Sequence, residues 1–437
     1  MSRLQTALLG DLPAFVADPI RFVEEHAIGS AQPVKLRFGP TNAMLVAQPS
    51  AVRDVLVDNR DLFGKGAEQA RLRPLFGEGM ITASGDRWHG AREATKGSFN
   101  ASGLMAGLSM ALRCVATETA DLAAHVGEIV PLPALMARLG TRMAAAALFH
   151  AEIDEETTEK LCDAGRITHR RLSETMWRIV DLDMLLPTPK NRKFRWAIKV
   201  FESFAESIGK EPKGVLEALA PLVSSHGKQV IRDETITMLV AGVETTATAA
   251  CWLAYHLACR PDIVAWLRPE ADSALANHCS MEPSVLRNMP RTRAAVQEIL
   301  RLYPSAWWFA RRALADTTID GVPVKKGTSI LVSPWALHRQ PDLWASPFEF
   351  DPMRFFNKSP PEKFSYIPFG AGPRACIGQH LAVAELIAIA AMLVSAFELQ
   401  ALSGPVEQLR PFGGMSLGPP PGMAIRLHMR SQLRKVA

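Results

Sequence analysis

The sequence predicts a mainly helical protein with a minor β region, and three observations favour this fold class. Nearly every segment between about residues 86 and 228 has the apolar spacing of an amphipathic helix. Two further long apolar helices are predicted, from roughly Asp233 to Cys259 and after Cys376. Strand-like runs are short and fall in two places, roughly residues 30–50 and 315–335.

The first hundred residues combine short strands with helices. The segments PVKLRFG and AMLVAQ are rich in β-forming residues, and the GPTN between them is typical of a turn. The following SAVRDVLVDNRDLF predicts an amphipathic helix. In the helical region after it, the clearest break is PTPKNR, which begins at Pro187.

The long central helix is predicted to begin with Asp233 and Glu234 in its first turn, where carboxylates suit the positive end of the helix dipole. Gly242 and a pair of threonines predict an interruption of this helix. A later helix, RTRAAVQEILRLY, ends before Pro304. Strands and turns are then predicted in TTIDGVPVKKGTSILVSP, and turns with an edge hairpin in PFGGMSLGPPPGMAIRLHM.

Composition indicates one ordinary globular domain over residues 1–437, because no linker-like segment marks a boundary. Hydrophobic residues make up 48% and charged residues 21% of the chain. The net charge of +5 is spread along the sequence without a dense basic stripe, so no nucleic-acid partner is expected. Six cysteines without CxxC or zinc spacing indicate a reducing compartment. The N-terminal segment is broken by Asp11 and Pro13, which predicts a cytoplasmic protein without a membrane anchor.

The stretch FGAGPRACIG, Phe369 to Gly378, is the most informative part of the sequence. Its glycines permit tight turns and close approach of a flat ligand to the backbone. A helix that begins just after Cys376 would direct free N–H groups at the sulfur, which predicts a lowered pKa of the thiol. Arg374 adds a positive charge for an anionic ligand group. An isolated cysteine would be a buried structural residue, and a nucleophilic cysteine would need a histidine base.

Three other segments carry polar residues with a helical spacing. AGVETT, from Ala241 to Thr246, places the carboxylate of Glu244 beside the hydroxyl of Thr245, as in a proton relay. EILR puts Glu298 and Arg301 on one helix face, and GDRWHGAR does the same for Trp88 and Arg92. Taken singly, AGVETT would be a threonine-rich turn of a core helix and EILR would hold a surface ion pair. GDRWHGAR would hold a Trp that packs in the core and an Arg on the surface.

Taken together and in this order, the segments resemble the cytochrome P450 family over nearly the whole chain. FGAGPRACIG matches the F-G-x-G-x-R-x-C-x-G loop of that family at every fixed position, and AGVETT is similar to its oxygen-activation motif. The resemblance implies heme b held between the central helix and the cysteine helix, with Cys376 as the thiolate ligand of iron and Glu244 and Thr245 as the proton-delivery pair.

The resemblance also implies roles for the remaining motif residues. Glu298 and Arg301 would form a structural network with Arg354, which lies in FEFDPMRF. Heme propionates would be held by Trp88, Arg92, Arg374 and Arg311, the last preferred over Arg312 for its spacing to Gly321. The other residues expected to contact heme are Phe369, Gly370, Gly378 and Ala241.

Family topology places five segments around a substrate pocket: 66–82, the part around Pro187, 239–245, 305–309 and 415–417. They are dominated by apolar residues, which indicates a compact hydrophobic substrate, a terpenoid first and a fatty acid or steroid next. The three aromatic residues in SAWWFA are either core residues or pocket residues. The pocket residues expected are Leu239, Ala241, Trp307, Trp308, Phe309, Met415 and Ser416.

The implied activity is insertion of one oxygen atom of O2 into a C–H bond. Electrons would come from NAD(P)H through separate partners, a ferredoxin or flavodoxin with its reductase. A peroxide-driven enzyme would not need Glu244 and Thr245. A non-catalytic heme-thiolate protein would need neither this pair nor a surface that binds an electron-transfer partner. A cysteine hydrolase without heme would leave Trp88, Arg92 and Arg374 without a purpose.

Overall fold

The computed structural model describes residues 9–176, 186–275 and 281–430. Helices dominate these residues, which confirms the predicted mainly helical class. The α-helices, labelled in chain order, are α1 Leu12–Ala17, α2 Pro19–Ala27, α3 Pro49–Arg53, α4 Arg73–Phe76, α5 Gly85–Lys96, α6 Leu104–Ala124, α7 Leu132–Phe149, α8 Glu155–Met176, α9 Pro189–Gly209, α10 Val215–Leu219, α11 Val223–His226, α12 Gln229–Cys259, α13 Pro261–Leu275, α14 Pro290–Leu302, α15 Pro334–Leu337 and α16 Gln379–Ala396.

The strands are short and form small sheets. The largest sheet has the order β1-β2-β8-β5-β3, in which only the β2–β8 pair is parallel. A three-stranded sheet, β4-β12-β9, and two hairpins, β6-β7 and β10-β11, complete the β structure of the described residues. Their bounds are β1 Val34–Phe38, β2 Thr41–Val46, β3 Phe63–Lys65, β4 Ile129–Pro131, β5 Phe309–Ala313, β6 Thr317–Ile319, β7 Val322–Val324, β8 Ser329–Val332, β9 Phe397–Ala401, β10 Phe412–Gly413, β11 Leu417–Gly418 and β12 Ala424–Met429.

Helices α12 and α16 are apolar on all sides because they lie in the interior of the fold. Both are long and apolar enough to cross a membrane by length and composition, and most of each apolar segment is buried inside the protein. Helix α7 packs closely on α12, since the space beside Gly140 is filled by the carbonyl oxygen of Val243. The two apolar helices therefore contribute to the protein core.

The structure changes two expectations about the central helix. It begins at Gln229 and runs without a break past Gly242. Asp233 and Glu234 consequently lie in the second turn rather than the first. Their carboxylates accept hydrogen bonds from the amides of Glu78 and Met80 and thus fix the preceding loop to α12.

Two other segments also differ from the prediction. The helix expected in SAVRDVLVDNRDLF ends at Arg53, and a π-helical turn, Asp54–Asp58, and a 3-10 turn, Arg60–Leu62, follow it. The C-terminal segment does form the hairpin β10-β11. Its last strand, β12, is the central rather than an edge strand of its sheet, because β4 pairs with its other side.

Candidate active site

The loop Phe369–Gly378 is closed by its own backbone. The amide of Cys376 donates to the carbonyl oxygen of Phe369 over 2.8 Å, and helix α16 begins at Gln379. Gly372 has a φ of +72°, and a Cβ atom there would lie 2.0 Å from the carbonyl oxygen of Leu56. Only glycine fits this position, so the loop is held against the π-helical turn at 54–58.

The thiol of Cys376 is accessible to solvent, yet surrounding protein desolvates it and raises its pKa. The amide of Gly378 and the guanidinium of Arg92 act in the opposite direction but do not outweigh the desolvation. The expected lowering of the thiol pKa is therefore wrong for the protein without a bound metal. A metal would supply the missing stabilisation, since coordination deprotonates a thiol.

Helix α5 brings Trp88 and Arg92 to this loop. Arg92 Nη2 donates to the carbonyl oxygen of Ala375 over 2.8 Å, directly before the cysteine. The indole of Trp88 is stacked beneath the guanidinium of Arg374, whose carbon lies 4.2 Å from the ring centre. Arg374 Nη1 also lies 3.4 Å from the carbonyl oxygen of Ala83. The structure thus brings four residues of two distant motifs together.

Lys65, Arg311 and Arg374 form a cluster of partly buried cations. Lys65 of β3 is the register partner of Arg311 of β5, and the two electrostatic neighbours of Lys65 with the largest effect are Arg374 and Arg311. Within the described residues, none of these three cations forms an ion pair, and their hydrogen bonds go to backbone carbonyls. Lys65 belongs to none of the motifs in the sequence and was not predicted as a site residue. Its place in the cation cluster follows from the pairing of β3 with β5, the strand of Arg311.

Burial and mutual repulsion shift the pKa values of this cation cluster. Desolvation, with Arg374 and Arg311 as the next causes, lowers the pKa of Lys65 to about 7. Desolvation followed by Arg374 lowers the pKa of Arg311 to about 10. Desolvation alone lowers the pKa of Arg374. The carboxylate of Glu234 offsets the pKa shift of Lys65 only in part. Cations held together without an ion pair favour an anionic ligand, which would relieve the desolvation and the repulsion.

In the central helix, the AGVETT segment has hydroxyl groups that bond to helix carbonyls. Thr245 Oγ1 donates to the carbonyl oxygen of Ala241 over 2.7 Å, and Ser305 Oγ donates to that of Thr245 over 2.7 Å. Ala241 is partly exposed, whereas Leu239 is fully buried. Thr246 faces the other way, towards Glu385 of α16, at 3.5 Å.

Glu244 contacts two residues outside the central helix. Ser416 Oγ donates to Glu244 Oε1 over 2.7 Å, and Nδ1 of His169 contacts the same oxygen. Ser416 was expected in the substrate pocket, and His169, on helix α8, was not predicted at all. No local pattern distinguishes that histidine from others on an amphipathic helix.

The aromatic residues after helix α14 divide into two groups. Trp307 and Trp308 are buried, and both indole N–H groups lie within hydrogen-bond range of the carbonyl oxygen of Gly414, at 3.0 and 3.4 Å. Phe309 is partly exposed, lies beside Gly370 of the cysteine loop and carries the Arg311 guanidinium 5.5 Å from its ring centre. Trp307 and Trp308 therefore share the surroundings of Gly414, whereas Phe309 lies beside the cysteine loop.

Glu298, Arg301 and Arg354 meet in the structure. Arg301 Nε and Nη2 donate to the two oxygens of Glu298 over 2.8 and 2.9 Å, and Arg354 Nε donates to Glu298 Oε1 over 3.2 Å. Arg301 also donates to the carbonyl oxygens of His338 and Pro347. The Glu298 and Arg301 side chains are completely buried, so the network joins α14 to the segment before the cysteine loop.

Comparison with known proteins identifies the family. The profile of the cytochrome P450 family matches residues 32–426. Cyclooctat-9-en-7-ol 5-monooxygenase from Streptomyces melanosporofaciens is 30% identical, over 91% of this chain and 88% of its own. LUTEIN DEFICIENT 5, a chloroplastic protein of Arabidopsis thaliana, is 28% identical, over 85% of this chain and 67% of its own. Putative cytochrome P450 132 from Mycobacterium tuberculosis is 28% identical, over 82% of each.

The chain belongs to the cytochrome P450 family. It is an oxidoreductase of the monooxygenase type, and its family uses heme with a cysteine thiolate as the iron ligand. The residues around Cys376 fit that cofactor. Cys376 would supply a thiolate to the iron, and the partly buried cations Lys65, Arg311 and Arg374, which form no ion pair among the described residues, would bind the two propionates.

Proposed function

We propose that the protein hydroxylates a C–H bond of a hydrophobic small molecule, with one oxygen atom taken from O2, at a heme whose iron is bound by Cys376. The observation that supports this most strongly is the position of Cys376 two residues after Arg374, which forms a cluster of partly buried cations with Lys65 and Arg311. Thiolate-ligated heme supplies O2 activation, because the thiolate favours O–O cleavage. The following roles are those of the protein.

Cofactor binding is assigned to the cysteine loop and to the cation cluster. Phe369, Gly370 and Gly378 shape the loop around the ligand cysteine, and Ala241 lines the opposite face from α12.

Arg311, Arg374 and Lys65 bind the propionates, with Trp88 packed against Arg374. Arg92 supports the loop through Ala375 as well as adding positive charge near the thiolate. The buried contacts of Glu298, Arg301 and Arg354 keep the loop in place.

Proton delivery is assigned to Glu244 and Thr245. Thr245 Oγ1 donates to Ala241 and keeps its acceptor lone pairs for a bound water or oxygen species. Glu244 is the adjacent acid, with 23% of its side chain exposed, and it exchanges protons with solvent. A peroxide-driven enzyme would need neither residue, so their arrangement favours the monooxygenase over a peroxygenase or a non-catalytic heme protein.

Electrons are proposed to come from NAD(P)H through a reductase and a small acidic ferredoxin or a flavodoxin. The proposed docking face is a concavity of 560 Å³ that Cys376 helps to line. It is lined by the cations Arg92, Lys96, Arg287 and Arg293, and none of the described lining residues is acidic. Opposite charge on a partner would steer it to the side of the cysteine loop.

The substrate class is proposed to be a terpenoid, with a fatty acid or steroid next. Ala241, Phe309 and Met415 are partly exposed and would supply an apolar lining. Leu239, Trp307 and Trp308 are buried and would support it from the core. The substrate named for the Streptomyces relative, cyclooctat-9-en-7-ol, supports a compact apolar molecule. We place the enzyme in the cytoplasm, because its two long apolar helices are largely buried in the fold.

The test is the visible spectrum of the dithionite-reduced protein under carbon monoxide, for the wild type and for Cys376→His. A strongly red-shifted Soret band in the wild type that is lost in the variant is expected. A band typical of histidine ligation in the wild type, or a red-shifted band that survives in Cys376→His, would contradict the assignment. Cys251→Ser is the matched control, since Cys251 is buried in α12 and should leave the spectrum unchanged.

A further inference from the structure

Three separate parts of the chain meet at the carboxylate of Glu244. Helix α12 carries Glu244, helix α8 carries His169 and Ser173, and the turn of the β10-β11 hairpin carries Met415 and Ser416. Ser416 Oγ and His169 Nδ1 both contact Glu244 Oε1. On the other side of the imidazole, Nε2 lies 3.3 Å from Ser173 Oγ, which accepts from the amide of Met415 over 3.0 Å.

The surroundings of Nε2 favour one tautomer of the histidine. Because Ser173 Oγ accepts from the Met415 amide, its own hydrogen is available to His169 Nε2. The ring hydrogen would then lie on Nδ1, the nitrogen that contacts Glu244 Oε1. Burial lowers the pKa of His169 to about 4, which agrees with a neutral ring at pH 7.

Ser416 and His169 meet the same carboxylate oxygen. Ser416 Oγ donates to Oε1 and His169 Nδ1 contacts it, while Oε2 of Glu244 makes no hydrogen bond within the part of the chain that the structure describes. A carboxylate held by a hydroxyl donor and packed against an imidazole at one oxygen has a restricted rotamer and keeps the other oxygen for proton exchange. The next residue along the helix is Thr245, so the fixed carboxylate lies beside the hydroxyl proposed to receive its proton.

We propose that His169 and Ser416 are positioning residues that hold Glu244 for proton delivery. The carboxylate is then oriented only while α8 and the β10-β11 turn are both packed on α12. This inference rests on the proposed function, because it requires Glu244 to deliver protons. It assigns Ser416 to Glu244 rather than to the substrate.

The test measures product and peroxide formed per NAD(P)H in the heme-loaded enzyme, with a substrate found by spectral titration and a surrogate ferredoxin and reductase. His169→Phe keeps a ring but removes the bond to Ser173 and the nitrogen that contacts Glu244, and several-fold more peroxide with a larger solvent isotope effect is expected. His169→Asn restores coupling, because its amide nitrogen replaces Nδ1 as donor. Arg170→Gln, at an exposed neighbouring position, is the control with unchanged coupling. Wild-type coupling in His169→Phe, or equal losses in the Phe and Asn variants, would overturn the proposal.

A double-mutant cycle separates this proposal from the proposed function. If His169 acts through Glu244, the double variant His169→Phe with Glu244→Gln uncouples no more than Glu244→Gln alone. Additive losses would overturn the inference. Normal coupling in Glu244→Gln would instead contradict the proton-delivery role itself. Uncoupling in Glu244→Gln together with normal coupling in both His169→Phe and Ser416→Ala would overturn only the positioning role.

Hydrogen exchange of the resting heme-loaded enzyme gives a readout that needs no turnover. The Met415 amide is bonded to Ser173, and Ser173 is in turn bonded to His169. Faster exchange across residues 412–418 is expected in His169→Phe and not in Arg170→Gln. Unchanged exchange in His169→Phe would contradict the coupling between α8 and the hairpin turn.

Discussion

The hydroxyl of Thr245 donates a hydrogen bond of 2.7 Å to the carbonyl oxygen of Ala241, one turn earlier in helix α12. The carbonyl of Thr245 itself accepts a bond of 2.7 Å from Ser305, which lies outside the helix. These two bonds fix both the rotamer of Thr245 and the backbone that carries it. The hydroxyl that we propose for proton delivery is therefore held in place before any ligand binds.

Replacing Thr245 with alanine is expected to uncouple the enzyme. NAD(P)H consumption continues, while product falls and peroxide rises several-fold, because the hydroxyl that guides the proton is lost. Thr245→Ser is the matched control, since it keeps the hydroxyl and should keep most of the coupling. The measurement is the ratio of product to NAD(P)H consumed; equal ratios in the wild type and Thr245→Ala would show that protons follow another route.

Charge reversal on the proposed docking face is expected to slow electron transfer. Arg287→Glu with Arg293→Glu should lower the association rate with an acidic ferredoxin about tenfold and weaken its dependence on salt. Arg60→Glu, an exposed position outside that concavity, serves as the control. Stopped-flow reduction at several ionic strengths measures the effect. A rate that falls equally in the control and the double variant would place the docking surface elsewhere.

The buried charge network makes Glu298 important for stability. Glu298→Gln removes a charge that faces two arginines and leaves the buried Arg301 guanidinium uncompensated. We expect a loss of about 3–5 kcal/mol in the free energy of unfolding, measured by urea denaturation. The exposed pair of Arg260 and Asp262 provides the control, and Asp262→Asn should cost less than about 1 kcal/mol. Similar losses at both positions would contradict this explanation.

Glu385 is expected to make stability depend on pH. Desolvation raises the pKa of its carboxyl from the ordinary 4.5 to about 8. Between these values the unfolded chain is ionised while the folded protein keeps the proton, so stability falls as pH rises, by about 1.4 kcal/mol per pH unit at most.

Glu385→Gln removes that slope, so its stability gain over the wild type should grow from pH 5 to pH 8 and stay constant above. The amide keeps an acceptor for Thr246. Urea midpoints at three pH values measure the gain, and Glu128→Gln on an exposed turn is the control. A gain that does not change with pH would mean that Glu385 is ionised throughout.

Substitution of Trp307 is expected to lower mainly the stability of the protein, and substitution of Phe309 to change mainly its affinity for ligands. Trp307→Phe should lower the free energy of unfolding by about 1–3 kcal/mol, because it removes a buried hydrogen bond to Gly414 and leaves a void. Phe309→Ala should change ligand affinity several-fold with a smaller loss of stability, since Phe309 is partly exposed beside Gly370. Spectral titration with apolar ligands and urea denaturation measure the two effects. The reverse pattern would exchange the roles of these residues.

The sequence by itself determined the helical class, the short strands and the motif residues near the cysteine loop. These features have local causes. Gly372 permits a turn that no other residue fits, and i, i+3 or i, i+4 spacing puts Glu298 with Arg301, and Trp88 with Arg92, on one helix face. Turn chemistry and helical period act within a few residues, so they can be interpreted without knowledge of the fold.

Only the tertiary structure decided which distant residues complete the site. Lys65 joins the cation cluster through its strand register with Arg311, and His169 reaches Glu244 because α8 packs over the central helix. The net direction of the Cys376 thiol pKa likewise depends on how much protein surrounds it. Strand register, helix packing and desolvation are sums over contacts between remote segments, and no short pattern in the sequence encodes them.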